Sequence, residues 1–261
     1  NTNLIYSTED KKIEFTRYNE RAKKLLLLKD TFNFDELGAL SYPEIFKKPY
    51  IEYEKFHKKY IKGSYTVLEI GAGTGLFTKS LLDCGAKVVA TDISPKSLEV
   101  IKKRFVKYQQ KLIVQVADME KLPFNKNYFD IVTCAGSLSY GDNDLVMNEI
   151  FRVLKPGGVF ICVDSLNENP FYKFNRWLNY KRGRRSLGTL VNMPTISLIE
   201  KYNTNFELIS INFFGSLVWI YPILKIFIGK SNATKIIDKF DNLNKTRSSA
   251  FKFVMAARKK I

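Results

Sequence analysis

Histidine is almost missing from this chain: one residue, His57, in 261. That scarcity excludes histidine-rich metal sites and any scheme that needs two imidazoles. Cysteine is scarce as well. Cys84, Cys134 and Cys162 show no pair at metal-ligand spacing, which excludes a disulfide scaffold and a sequence-local zinc site. They read as reduced core residues, and no metal is expected. Acidic residues are outnumbered, 26 against 42 basic ones, leaving a net charge of +16. So uneven a balance draws anions, although Lys outnumbers Arg about threefold, a bias that genome composition alone can produce. No apolar run reaches the roughly 20 uninterrupted residues of a spanning helix. The strongest run, Phe213 to Ile228, is broken by Gly215, Pro222 and Lys225. Asn1 to Lys12 lack the features of a secretory signal, so a cytoplasmic setting is expected.

What is present is a folded chain of one main core, with 45% hydrophobic and 14% aromatic residues. Residues 1–63 predict a helical cap, with apolar positions at helical spacing in Tyr18 to Lys29 and Tyr50 to Lys62. From residue 64 onward, short apolar runs alternate with helical stretches. Thr66 to Ile70, Lys87 to Thr91, Leu112 to Val116, Phe129 to Cys134, Val159 to Val163, Phe206 to Phe213 and Ala250 to Ala257 predict strands. Ser94-Pro95 opens one helix, Lys155-Pro156-Gly157-Gly158 closes another, and Pro194 starts a short one. Such alternation implies parallel βαβ units, with insertions at 167–192 and 213–248.

The first strand runs directly into Gly71-Ala72-Gly73-Thr74-Gly75 and then into a helix. Glycine serves there because the backbone must turn sharply and approach a ligand without a Cβ in the way. Asp92, at the end of the second strand, is placed to accept from both hydroxyls of an adenosine ribose. These two features alone leave a dehydrogenase open. The turn, however, is Gly-x-Gly-x-Gly preceded by Glu69, and lacks the spacing of a pyrophosphate loop. Ala117-Asp118-Met119-Glu120-Lys121-Leu122-Pro123-Phe124 follows the third strand, where Asp118 can take an adenine amino group and Met119 can lie on the ring. Phe129-Asp130-Ile131-Val132 and Leu154-Lys155-Pro156-Gly157-Gly158 mark strands four and five.

Together these residues resemble the class I S-adenosylmethionine-dependent methyltransferase family, in its small-molecule branch, over Thr66 to Asp164. The resemblance implies an α/β, Rossmann-like fold with a seven-stranded, mostly parallel sheet and helices on both faces. It implies S-adenosyl-L-methionine as cofactor. Glu69, Gly71, Ala72 and Gly73 would lie along its methionine part, Asp92 on the ribose, Ile93 on the adenine, and Asp118 and Met119 at its edge. Cys134 and Ala135 would close the site after the fourth strand.

Relatives of this type often place a histidine after the fourth strand, where this chain has Ser139. That departure leaves Tyr140, Asp142 and Asp164 as alternative catalytic bases. His57 is expected to be solvated beside Lys58 and Lys59. Tyr18 and Tyr50 could cover the sulfonium end, because aromatic faces favour a cation. Four of the ten arginines fall between 176 and 185, interleaved with aromatic residues. Asn167, Arg176 and Trp177 are therefore candidate substrate residues.

This segment is similar to those of bacterial surface-polysaccharide methyltransferases, which implies O-methylation of a sugar hydroxyl on a glycan or other small phosphorylated acceptor. The apolar run at Phe213 to Ile228 predicts a helix on the core, or peripheral contact with the inner membrane surface. RNA methylation is an alternative that the charge favours. Nucleic acid is the weaker partner, because no separate RNA-binding module or Asn-Pro-Pro-Tyr motif is present. A catalytically silent protein that only binds the cofactor is a third reading.

Overall fold

The computed structural model describes residues 2–27, 37–243 and 247–261. Two helices, α1 (Thr2–Leu27) and α2 (Glu44–Tyr60), precede β1 (Thr66–Ile70). The chain continues through α3 (Thr78–Asp83), β2 (Lys87–Asp92), α4 (Pro95–Arg104), β3 (Leu112–Val116) and β4 (Phe129–Ala135). Then come α5 (Asn143–Val153), β5 (Leu154–Ser165), α6 (Pro170–Lys181), α7 (Leu187–Val191) and α8 (Ile196–Tyr202). The last elements are β6 (Phe206–Phe214), α9 (Tyr221–Leu243) and β7 (Lys252–Lys259). Positions 28–29 of the first expected helix, and 244–246 of the second insertion, lie outside the described residues.

The seven strands form one sheet in the order β3-β2-β1-β4-β5-β7-β6. Neighbours from β3 to β5 pair in parallel, and β7 alone runs against its two partners. Both faces of the centre are covered, which is why these strands read as continuous apolar runs. Val67 packs with Tyr53, Leu81 and Ile101 on the side of α2, α3 and α4. Leu68 packs with Val146, Ile150 and Ile199 on the side of α5 and α8. In α2, Ile45, Pro49, Tyr50, Tyr53, Phe56 and His57 are buried, an inward stripe at helical spacing.

Several expected boundaries move for local reasons. β5 begins at Leu154, which pairs with Phe129, so the Lys-Pro-Gly-Gly segment extends the strand through an irregularity in register. The helix expected at Pro194 starts at Ile196, because the Thr195 side chain caps it by accepting from Leu198 N–H. The basic, aromatic stretch after Asn167 forms α6, capped by Asn169 with Pro170 in its first turn. The apolar run after β6 becomes a short 3-10 turn and the first half of α9, which bends at Gly229, whose φ is 78°. Among the described residues, no helix is long and apolar enough to cross a membrane.

Candidate functional site

Sheet order reverses between β1 and β4, and loops leaving their carboxyl ends diverge to opposite sides, opening a crevice there. A cavity of about 490 Å³ occupies that crevice, floored by the glycine turn. Gly71 and Gly73 have φ of 62° and 55°, in the left-handed region that favours glycine. A Cβ on Gly71 would strike the Ser137 side chain, whereas one on Gly73 would meet nothing within 4 Å. The backbone at Gly73 is therefore bare toward the cavity.

Asp92 is fixed from both sides. Gly73 N–H donates to its Oδ2 at 2.8 Å and Ser94 N–H to its Oδ1 at 2.8 Å. Burial raises its pKa, and these backbone donors oppose the rise. Glu69 is buried beneath the turn and accepts from the Thr78 hydroxyl at 2.6 Å. Burial, reinforced by the charge of Asp92, pushes its pKa up to about 8. Asp118 pairs with Lys11 of α1 at 2.8 Å, and the same ammonium holds Glu120 at 2.5 Å. Ala72, Ile93, Met119 and Ala135 complete the walls at this end. Cys134 does not line the cavity. It is fully buried, with its Sγ 2.9 Å from Ser137 Oγ.

α1 lies across the opening. Lys11, Glu14, Tyr18 and Arg21, spaced three or four apart, turn one face of the helix into the cavity. Asn19 fastens the same helix to the start of α4 by accepting from Ser94 Oγ at 2.9 Å. Tyr18 and Tyr50 both line the cavity.

Of the three candidate bases, Asp164 is the carboxylate on the cavity wall. It lines the cavity, buried, with Leu138 N–H and Ser165 N–H donating to its two oxygens at 3.0 and 2.6 Å. Burial raises its pKa, and the nearby Lys252 ammonium opposes that. Asp142 instead caps α5, accepting from Asp144 and Leu145 N–H, and is absent from the cavity wall. Tyr140 lines the cavity but accepts from the Tyr18 hydroxyl at 2.7 Å, and burial drives its pKa far above the ordinary phenol value. A phenol so reluctant to ionise is a poor base. His57 is not solvated. It is fully buried with Nδ1 2.8 Å from Ser80 Oγ, and burial lowers its pKa to about 3.

The expected substrate residues lie outside the cavity. Arg176 is buried, and its Nη1 donates to Leu166 O and to Asn167 Oδ1 at 2.8 and 3.0 Å, while its Nη2 is buried without a hydrogen-bond partner. Trp177 is 44% exposed on the far side of α6. The cavity is instead lined by Arg185, Met193, Tyr42 and Lys252. Lys252 carried no local signal, since it opens an edge of β7 far along the chain, and only the β5–β7 pairing sets it opposite Ser165. Cys134, Cys162 and Asp164 bring three ligand-type atoms within 4.8 Å of one another. Cys134 and Cys162 are fully buried, and burial raises the pKa of the Cys162 thiol well above its ordinary value, so the two thiols of this group read as core.

Residues 68–162 match the family described as a methyltransferase domain. This is the class I methyltransferase fold. The match covers the glycine turn, Asp92, Asp118 and strands two to four, and ends inside β5. In sequence, the chain is 36% identical over 132 residues to sterol 4-C-methyltransferase of Caenorhabditis elegans, covering 47% of this chain and 40% of that protein. It is 33% identical over 139 residues to demethylmenaquinone methyltransferase of Symbiobacterium thermophilum, covering 48% and 54%. The chain thus spans about half the length of these curated relatives, or less. In structure, geranyl diphosphate C-methyltransferase from Streptomyces coelicolor, solved with S-adenosyl-L-homocysteine, superposes with a TM-score of 0.60 at 15% identity, covering 85% of this chain and 82% of that one. A methyltransferase-like protein from Bacillus halodurans gives 0.56 at 22% identity, covering 81% and 100%. The α1 cap and the 213–248 segment lie outside the family match.

Proposed function

We propose that the protein transfers a methyl group from S-adenosylmethionine to a small acceptor held beneath α1. One observation carries this reading: the glycine turn of the methyltransferase domain floors a single cavity that joins Asp92 and Asp118 at one end to Asp164 and Lys252 at the other. The cavity's size falls within the roughly 300–1,000 Å³ of small-ligand sites, and the bare backbone at Gly73 admits close approach. Asp92 would hold the ribose hydroxyls, Asp118 the adenine amino group, and Ile93 and Met119 the ring. Tyr18 and Tyr50 present aromatic surface suited to a sulfonium.

When bound, the cofactor supplies an electrophilic methyl group. The protein's share is then to hold the acceptor atom about 3–3.5 Å away, in line with the departing sulfur. Asp164 has the raised proton affinity of a base for an acceptor hydroxyl. A buried base is what an alcohol needs and what an already ionised carboxylate does not. On that ground O-methylation of a sugar hydroxyl is our finer reading.

Titration with S-adenosylhomocysteine tests the site. Asp92→Ala should weaken binding by about 10- to 100-fold, the loss of charge-assisted hydrogen bonds worth about 1.5–3 kcal/mol. Unchanged affinity would remove Asp92 from the site. Methyl-labelled cofactor incubated with fractionated cell extract then tests the acceptor. Label in a glycan fraction supports the sugar reading, and label confined to RNA or lipid replaces it. Binding without turnover in any fraction would mean a catalytically silent protein.

A further inference from the structure

Two stretches of the chain contain no acidic residue, 169–199 and 208–237. The first forms α6 and α7, and the second forms most of β6 and the first part of α9. Both expose large apolar side chains. Phe171, Phe174 and Trp177 recur at every third position of α6 and are 55%, 59% and 44% exposed. The opposite face of the same helix buries Tyr172 and Arg176 against Phe251, the neighbour of cavity-lining Lys252. Phe171 stacks on Trp219 at 4.1 Å, which ties α6 to the turn that opens α9. In α9, Ile223, Ile226 and Phe227 are 57%, 76% and 80% exposed. A soluble surface seldom leaves this much apolar area on adjoining elements without a partner.

Cations accompany these side chains without a counter-charge in the same segments. Lys173, Lys181, Arg182, Lys225 and Lys230 are all exposed. Lys181 lies 5.8 Å from the Trp177 ring and Lys225 5.9 Å from the Tyr221 ring. Aromatic rings and lysines side by side suit the boundary between phosphate headgroups and acyl chains, where a ring has one apolar and one wet side. A protein partner of matching shape would have to bring a purely acidic, apolar face. A bilayer with anionic lipids offers that chemistry everywhere.

We propose that α6 and the first half of α9 dock the protein on a bilayer surface containing anionic lipids, with Phe174, Trp177, Ile226 and Phe227 entering the headgroup boundary. This surface is independent of the methyl-transfer reading. The chain's two tryptophans, Trp177 and Trp219, both lie on it, so their fluorescence reports insertion directly.

The test uses the full chain with vesicles of phosphatidylcholine alone or mixed with phosphatidylglycerol, some carrying brominated acyl chains. Flotation should show binding at least about tenfold stronger to the anionic vesicles, weakening as salt rises. Brominated lipid should quench the tryptophans. Replacing the exposed Ile226 and Phe227 with Ser should cut binding by about tenfold or more, since each apolar contact adds to insertion, while circular dichroism and thermal melting stay unchanged. Four results would overturn the proposal: no vesicle binding, binding without quenching, a variant that binds as well as the parent, or a concentration-dependent dimer that shields the tryptophans.

Discussion

Glu69 is a buried titratable group at the floor of the cavity. With its pKa pushed up to about 8 by burial, it is mostly protonated at pH 7. A cationic ligand placed against it stabilises the carboxylate and expels the proton. Binding of S-adenosylmethionine at pH 7 is therefore expected to release protons, seen as a titration enthalpy that varies with the ionisation enthalpy of the buffer. Affinity should rise as pH climbs toward and through 8, because the ionised form is the one that binds a cation better. In Glu69→Gln both effects should disappear. A parent protein showing neither would place Glu69 away from the ligand's charge. Asp142 teaches the opposite lesson at this scale, since a carboxylate in the right loop was claimed by a helix terminus, where its Oδ1 accepts from both Asp144 and Leu145 N–H.

At the scale of elements, α1 lies over the cavity and lines it with one face. It reaches the sheet's loops through Lys11 to Asp118 and Glu120, Asn19 to Ser94, and Arg17 to the carbonyl of Arg184. Each of these is a polar contact, whereas α2 is held by the apolar packing of Tyr50, Tyr53 and Phe56. A ligand beneath α1 adds contacts along its inward face. Amide hydrogen exchange over residues 9–21 is therefore expected to slow by about tenfold or more with saturating S-adenosylhomocysteine. Exchange unchanged by ligand would show that α1 is not a cover. Lys11→Ala, which leaves two carboxylates unpaired, should speed exchange in the same residues without ligand. α6 shows how one helix can serve two purposes, with Tyr172 and Arg176 inward and an aromatic row outward.

For the whole molecule, the buried His57 links stability to pH. Its pKa is lowered to about 3 in the folded protein, against about 6.5 in an unfolded chain. The unfolded state therefore takes up a proton that the folded state refuses. Stability is complete well above pH 6.5 and is lost as pH falls toward 3, by about 2 kcal/mol between pH 7 and 5 for this group. Denaturant unfolding at pH 7 and pH 5 measures the difference, which His57→Gln should reduce by that amount. An equal pH dependence in the variant would mean that His57 is hydrated in solution.

The sequence by itself determined the sheet and the glycine-turn end of the cavity. Both rest on short-range relations: apolar runs of strand length, a turn that only glycine permits, and acids that directly follow strands. Glu69, Gly71, Gly73, Asp92 and Asp118 were legible because each belongs to a strand end or to the turn itself. The other end was decided by tertiary structure alone. Arg185, Met193, Tyr42 and Lys252 come from segments far apart in the chain, and only the antiparallel insertion of β7 beside β5 and the folding of the first helices over the sheet bring them together. Arg176 and Trp177 misled for the same reason. Their composition suits a ligand, but which face of α6 turns inward depends on how Tyr172 packs against Phe251, a contact between residues 79 positions apart.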